Sequence, residues 1–340
     1  MKVTREDVAA LAGVSPATVS YVLNGSRNMS DKTRKLVLDA VKQLNYRPDM
    51  IARSMKKNET MQLAMIINDI ANPFFSEIIT GFETAAIEKG YFVNVCTGNK
   101  DINNYFENYI VRRIDGVFVA ATPYKFDSNK LYDLTENGIK VIVSGNIEAD
   151  LKRVSSIEID YMGGMRTAVA YLRKLGHERI VYLSGLSKKH RFDRRIEGFL
   201  AAMDAQGLNT GEELLIEGTF PFSTSIEDGF AMTKELIESG REFTAVICTN
   251  DLMAIGAVSA LESAGLQVPQ DVSVMSFDDT LFAKAWRPAI TTMAVSKPAF
   301  GQKAFELLYT NIRRGTTDYY LNPLELKPRA STAERKRRCL

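Results

Sequence analysis

From residue 61 onward, short apolar runs rich in β-formers alternate with stretches of helical periodicity. No other feature limits the fold as much. The runs fall at 63–67, 92–96, 116–120, 140–144, 179–183, 245–248 and 272–277, with amphipathic stretches such as 75–89 and 163–175 between them. Strands joined through helices run parallel, and a mostly parallel sheet needs helices on both faces. Two such groups fit in the residues available, so the expected core is a two-lobed α/β module. Ligands of such folds sit at the carboxyl ends of the strands and between lobes.

The first 60 residues have a different character. They hold 11 Lys/Arg against 6 Asp/Glu, a net of +5, whereas the remainder holds 32 against 35, a net of −3. A basic head on a mildly acidic body suits a polyanionic partner, although a solvated helical surface gives the same count. Thr4 followed by Asp7 reads as a capping box, after which Val8, Leu11 and Ala12 share a helical face. Ser15-Pro16 reads as an N-cap with proline at the first helical position, and Asn24-Gly25 closes that helix. Ser30-Asp31 caps a third helix with an inward stripe of Leu36, Val37, Ala40, Val41 and Leu44. Two short helices around a glycine turn, backed by a third, match a helix-turn-helix or a plain three-helix bundle. In the first case Pro16, Ala17, Thr18, Ser20 and Tyr21 lie on the outer face of the recognition helix.

The segment Val14-Ser15-Pro16-Ala17-Thr18-Val19-Ser20-Tyr21-Val22-Leu23-Asn24 resembles the recognition segment of the lac repressor-type (LacI/GalR) bacterial transcription regulators. Its surroundings also resemble that family: Thr4 with Asp7-Val8-Ala9, Ser30 with Lys32-Thr33-Arg34, and Leu44-Asn45-Tyr46 with Pro48. The resemblance implies a DNA-binding domain over 1–47. Its contacts would come from Thr4, Ser15, Pro16, Ala17, Thr18, Ser20, Tyr21, Asn24, Thr33, Arg34 and Tyr46. It also implies a hinge helix within 48–60 that pairs with its twin in a homodimer. Met55 would wedge into the minor groove where many relatives carry Leu, and Ala52 would face its twin or the groove floor.

Further along, Leu172 to Ile180, Arg195-Ile196-Glu197-Gly198-Phe199, Thr249-Asn250-Asp251-Leu252-Met253-Ala254 and Val274 to Asp279 resemble the family's effector-binding core. That core is similar to periplasmic sugar-binding proteins, with two Rossmann-like lobes and three crossovers. We expect the crossovers near 155–160, 288–292 and 320–324. The first lobe would be 61–158 plus 291–322, the second 159–290 plus 323–340. The resemblance places effector contacts at Phe74, Phe75, Arg195, Phe220, Asn250 and Asp278. These offer aromatic faces, a planar donor fork, an amide and a two-oxygen acceptor. Asp160 either faces the cleft or caps a helix, and Trp286 belongs to the core or the pocket rim. Val295 stands where several relatives carry Gln, so effector chemistry cannot be copied from any one of them.

Phosphate-loop, nucleophile-elbow, HExxH and CxxC motifs are lacking, and His177 reads as structural. His190 lies among Lys188, Lys189 and Arg191, read as a solvated loop rather than the rim of an anion site. No apolar run reaches the roughly 18 residues of a membrane span, no secretory signal is visible, and three scattered cysteines suggest a reducing compartment. The expectation is therefore a cytoplasmic protein that is not an enzyme and needs no cofactor or metal. It would be a repressor that binds a pseudo-palindromic DNA operator as a homodimer, controlled by a small polar effector. A sugar is preferred because the Phe/Arg/Asn/Asp set suits hydroxyls. A purine-like corepressor is the alternative, and a solute-binding protein is the competing class. The basic end, 334–340, is expected to fray.

Overall fold

A computed structural model describes residues 3–25, 27–47, 59–98, 102–120, 128–145, 147, 149–186, 193–211, 214–219 and 223–335. The expected hinge contacts Ala52 and Met55, the cleft candidate Phe220 and the loop residue His190 lie outside the described residues. The chain divides into two compact units, Met1–Thr60 and Met61–Leu340.

The head contains α1 (Arg5–Ala12), α2 (Pro16–Asn24) and α3 (Asp31–Gln43). Each begins at a hydroxyl that satisfies an otherwise orphaned amide. The Thr4 hydroxyl accepts from the Asp7 amide while the Asp7 carboxylate accepts from the Thr4 amide. Ser15 accepts from Thr18 and Ser30 from Thr33. Gly13 and Gly25 end the first two helices in the left-handed region, at φ +64° and +62°, where a glycine carries no Cβ penalty. Val8, Ala9, Ala12, Val19, Val22, Val37 and Ala40 form the core, with Tyr46 packed against it. Leu11 and Leu36 depart from expectation, each being 46% exposed. Each precedes a buried residue, Ala12 or Val37, and a step of one residue turns a helical side chain about 100° off the buried face.

The second unit starts with β1 (Gln62–Ile67), α4 (Pro73–Glu88), β2 (Phe92–Thr97), α5 (Ile102–Arg112), β3 (Gly116–Val119), α6 (Asn129–Glu136), β4 (Lys140–Val143) and β5 (Ser155–Ile159). A second lobe follows: α7 (Tyr161–Lys174), β6 (Ile180–Ser184), α8 (Arg194–Ala205), β7 (Leu215–Glu217), α9 (Ile226–Glu238), β8 (Ala245–Cys248), α10 (Asp251–Ser263), β9 (Ser273–Asp278), α11 (Leu281–Ala285) and β10 (Thr291–Ala294). The chain returns to the first lobe for α12 (Lys297–Arg314) and β11 (Tyr319–Asn322), then crosses back for β12 (Glu325–Lys327). The first sheet has the order β11-β5-β4-β3-β1-β2 and is parallel throughout. The second has the order β12-β10-β9-β8-β6-β7, with only the β12–β10 pair antiparallel.

The crossovers fall at Asp160, Val295–Ser296 and Pro323–Leu324. The second comes later than the sequence suggested, because β10 pairs with β9 and so belongs to the second lobe. Residues 291–294 are thus removed from the first lobe as expected from sequence. Val295 is buried in the first lobe's core. The chain end stays tied through Glu334 and Arg335, since the Arg335 amide donates to the Leu175 carbonyl. His177 bridges the Thr244 hydroxyl and the Ala333 carbonyl at 3.0 Å each.

In each lobe, two glycines let a pair of helices touch backbone to backbone. A Cβ on Gly301 of α12 would overlap the Ile78 carbonyl of α4, and one on Gly81 would overlap Pro298. Gly229 of α9 and Gly256 of α10 meet in the same way. Interiors packed this tightly absorb an added methyl only by moving backbone. Gly301→Ala is therefore expected to destabilise the core by about 1–3 kcal/mol, read as a lowered Tm. An unchanged Tm would show that the α4–α12 contact is not tight.

Candidate functional site

The carboxyl ends of both sheets face one cleft of roughly 900 Å³, counting its open mouth. Asn68 follows β1, Ala120 follows β3, Ser144 and Gly145 follow β4, and Glu158 closes β5. From the second lobe come Leu186, Thr249, Asn250 and Asp278. Four helices begin here, each capped by a side chain. Asn72 accepts from Phe74 N (3.0 Å), Asp160 from Gly163 N (2.9 Å), Asp193 from Arg195 N (3.0 Å) and Asn250 from Met253 N (2.9 Å). Asp160 therefore takes the capping role, one of its two expected roles.

Five of the six expected effector residues lie within the described residues, and the fold brings all five to the cleft. They are not equivalent. Arg195 is fixed on three sides: Nε donates to Asp193 Oδ1 (3.2 Å), one terminal nitrogen donates to the Thr249 carbonyl (3.2 Å), and the guanidinium stacks 4.3 Å from the Tyr161 ring centre. A donor fork held this way loses little entropy when it binds. Asn250 uses its oxygen on the α10 cap and its Nδ2 on the Thr224 carbonyl (3.0 Å), so it chiefly shapes the wall. Phe75 is buried in the first lobe's core, while Phe74 is half-buried and meets it edge to face at 5.2 Å. Trp286 packs against the second lobe's core and does not line the cleft.

Asp278 is the most unusual member. It has φ +107° and the next residue, Asp279, has φ +59°, both in the region that disfavours side chains. Its carboxylate receives no hydrogen bond from a described residue. Burial, and then the nearby Asp251 carboxylate, push its pKa up to about 7, against the pull of Arg195 and Lys297. Asp251 sits behind it, fully buried, and accepts from Ser276 Oγ (2.5 Å), Thr280 N (2.6 Å), Thr280 Oγ1 (2.8 Å) and Thr292 Oγ1 (3.0 Å). A buried carboxylate needs such donors, and these four connect α10 to β9 and β10.

Sequence reasoning missed Asn68, Glu158, Tyr161 and Thr249. Glu158 carried a readable signal, an acid inside an otherwise strand-like Ser-Ser-Ile-Glu-Ile. Its oxygens are held by Ser156 Oγ and Gly145 N, at 3.2 Å each.

In the head, Ser15, Pro16, Ala17 and Asn24 are exposed, whereas Thr18, Ser20 and Tyr21 are half-buried. Thr18 Oγ1 pairs with Ser15 Oγ (2.9 Å), and Ser20 Oγ donates to the Pro16 carbonyl and accepts from Arg5. Arg34 is exposed, Thr4 and Thr33 serve helix caps, and Tyr46 is half-buried.

A helix-turn-helix head in one chain with a two-lobed α/β core, whose strand ends form a polar cleft, defines an effector-controlled DNA-binding regulator. The comparisons agree. Residues 4–49 match "Bacterial regulatory proteins, lacI family" and residues 169–332 match "Periplasmic binding protein-like domain". The chain is 36% identical over 315 residues to the HTH-type transcriptional repressor PurR of Mannheimia succiniciproducens, covering 91% of this chain and 92% of that one. To PurR of Actinobacillus pleuropneumoniae serotype 3 it is 35% identical, covering 96% of each. A lac repressor dimer bound to operator and the anti-inducer ONPF superposes with a TM-score of 0.83 at 25% identity, covering 98% of this chain and all of that one. A CelR–cellobiose complex gives 0.72 at 29% identity, covering 97% and 99%. The chain belongs to the lacI family of bacterial regulatory proteins. It is a DNA-binding transcriptional repressor with an effector-binding core, in a family of regulators rather than enzymes. Among the described residues no helix is long and apolar enough to cross a membrane.

Proposed function

We propose that this repressor binds a pseudo-palindromic operator as a homodimer and responds to a small uncharged polyol, a sugar or sugar derivative, in the interlobe cleft. One observation carries the effector reading: Arg195, held over the Tyr161 ring, and the Asp278 carboxylate both line the same cleft. A fixed donor fork and an acceptor with two oxygens suit vicinal hydroxyls, and Phe74 and Tyr161 offer apolar faces for a sugar's C–H surface. The likeness to structures described with bound cellobiose and ribose supports this reading. On the DNA side, the exposed amino end of α2, with Ser15, Pro16 and Ala17, supports base or phosphate contact in the major groove. Thr18, Ser20, Tyr21, Asn24 and Arg34 flank it.

A second reading, a purine-like corepressor, is favoured by the similarity to repressors named PurR. Against it, the two adjacent phenylalanines meet edge to face, so Phe75 does not present a second parallel ring.

The test is a thermal-shift screen of the full chain against cellobiose, D-glucose, D-ribose, hypoxanthine, guanine and adenosine. A ligand at about 100 times its Kd adds about 2.7 kcal/mol. A sugar hit that disappears in Arg195→Ala supports the first reading. A hit confined to the purines replaces it with the second.

A further inference from the structure

Lys297 is the first residue of α12, immediately after the second crossover, and only 3% of it is exposed. This is an unfavourable place for an ammonium group. The amino end of a helix repels positive charge, and burial removes its water. The group is nonetheless fully engaged. Nζ donates to the carbonyls of Asp278 (2.8 Å) and Asp279 (2.9 Å) and lies 3.6 Å from Glu77 Oε1.

Those partners belong to opposite lobes. Asp278, the last residue of β9, and Asp279 form the positive-φ turn that ends the strand and puts the Asp278 carboxylate in the cleft. Glu77 lies in the first turns of α4, three residues after Phe74. Two successive non-glycine residues with positive φ persist only where the surroundings hold them. Thr280 is held by Asp251, and the Asp279 side chain by Arg329 and Lys284. The two carbonyls of the strained residues are held by Lys297. Lys297 itself does not line the cleft.

We propose that Lys297 is a positioning residue for effector recognition: its ammonium holds the Asp278–Asp279 turn so that the Asp278 carboxylate faces the cleft, and through Glu77 it ties that turn to the helix carrying Phe74. This rests on the cleft being the effector site. Effector affinity thus depends on a side chain that never meets the effector, and the second lobe's binding turn is coupled to the first lobe's aromatic wall.

The test uses full-length protein and the variants Lys297→Met, Lys297→Arg and Glu77→Gln, with two measurements. The first is amide hydrogen exchange by mass spectrometry with no ligand added. In Lys297→Met, exchange rises about tenfold or more at 279–281 and at 74–78 together. In Glu77→Gln it rises at 74–78 alone. The second is calorimetric binding of cellobiose, D-ribose and hypoxanthine. A probe that binds the wild type binds Lys297→Met at least about tenfold more weakly, while Lys297→Arg, which keeps donors for the carbonyls, recovers most of the affinity. A lysine that only supports the fold would lower Tm and leave the affinity of the folded protein unchanged. That result, or exchange confined to 297–300 in Lys297→Met, overturns the proposal. Should Lys297→Met fail to fold, Glu77→Gln decides: unchanged exchange at 74–78 counts against the tie. If none of the probes binds the wild type, the effector reading fails while the exchange data still decide the role of Lys297.

Discussion

A chain beginning at residue 61 is expected to lose sequence-specific DNA binding by at least about 10³-fold while its core stays folded. The net of +5 lies in residues 1–60 and the remainder carries −3. Phosphate contacts supply most non-specific affinity, and base contacts from an inserted helix add roughly 10³–10⁷ in specificity. Both belong to the head. The head and the 61–340 unit are separate compact bodies, each with its own apolar core. Fluorescence anisotropy on a selected operator and on random DNA, with circular dichroism of the truncated chain, checks this. A folded truncation that still prefers the operator would move the DNA-binding surface into the core.

The second large effect concerns Asp278→Asn, which is expected to stabilise the folded protein above pH 7 while weakening the effector. The native carboxyl titrates at about 7, well above the 3.8 of an unperturbed Asp. Between these values the native state holds a proton that the unfolded state has released, so stability falls as pH rises. Below about pH 4 both states are protonated and the contribution vanishes. Asparagine removes the titration and tolerates positive φ better than most residues. The stability gap between variant and wild type should therefore open from pH 4 to 7 and level off above, at on the order of 4 kcal/mol. Effector affinity should drop about 10- to 100-fold, as for a lost charge-assisted hydrogen bond. Thermal melts at pH 4, 6 and 8 provide the reading. A gap independent of pH would mean that Asp278 is not the buried acid described above.

This trade-off shows which features the sequence reveals. The head's caps were legible because Thr4, Ser15 and Ser30 act locally, each on the amide three residues on. Six of the seven apolar runs were legible as strands because central parallel strands are buried on both faces; the seventh, β2, is a half-exposed edge strand legible from its β-branched and aromatic residues. β5 was not, because Ser155, Ser156 and Glu158 are buried by hydrogen bonding rather than apolarity. β7, β11 and β12 are edge strands of three or four residues, too short to show a period. β10, also short, fixes the crossover position through pairing with β9, which is long-range information. In the cleft, the residues carried by motif were found. Tyr161 and Lys297 were missed because their roles come from residues distant in sequence, Arg195 for Tyr161, and Asp278, Asp279 and Glu77 for Lys297. Asp251 was quoted in a motif, yet its four buried donors become visible only once β9 and β10 lie beside α10.

The central claim is that occupancy of the interlobe cleft sets operator affinity. The most direct measurement is anisotropy of an operator, selected from random duplexes by the full-length protein, titrated with and without the ligand found in the thermal screen. That ligand is expected to shift operator affinity by about 5- to 150-fold, in either direction, with no comparable shift on random DNA and none in Asp278→Asn at a ligand concentration that saturates only the wild type. An equal shift in wild type and variant, or a ligand that binds the cleft and leaves operator affinity unchanged, would contradict it.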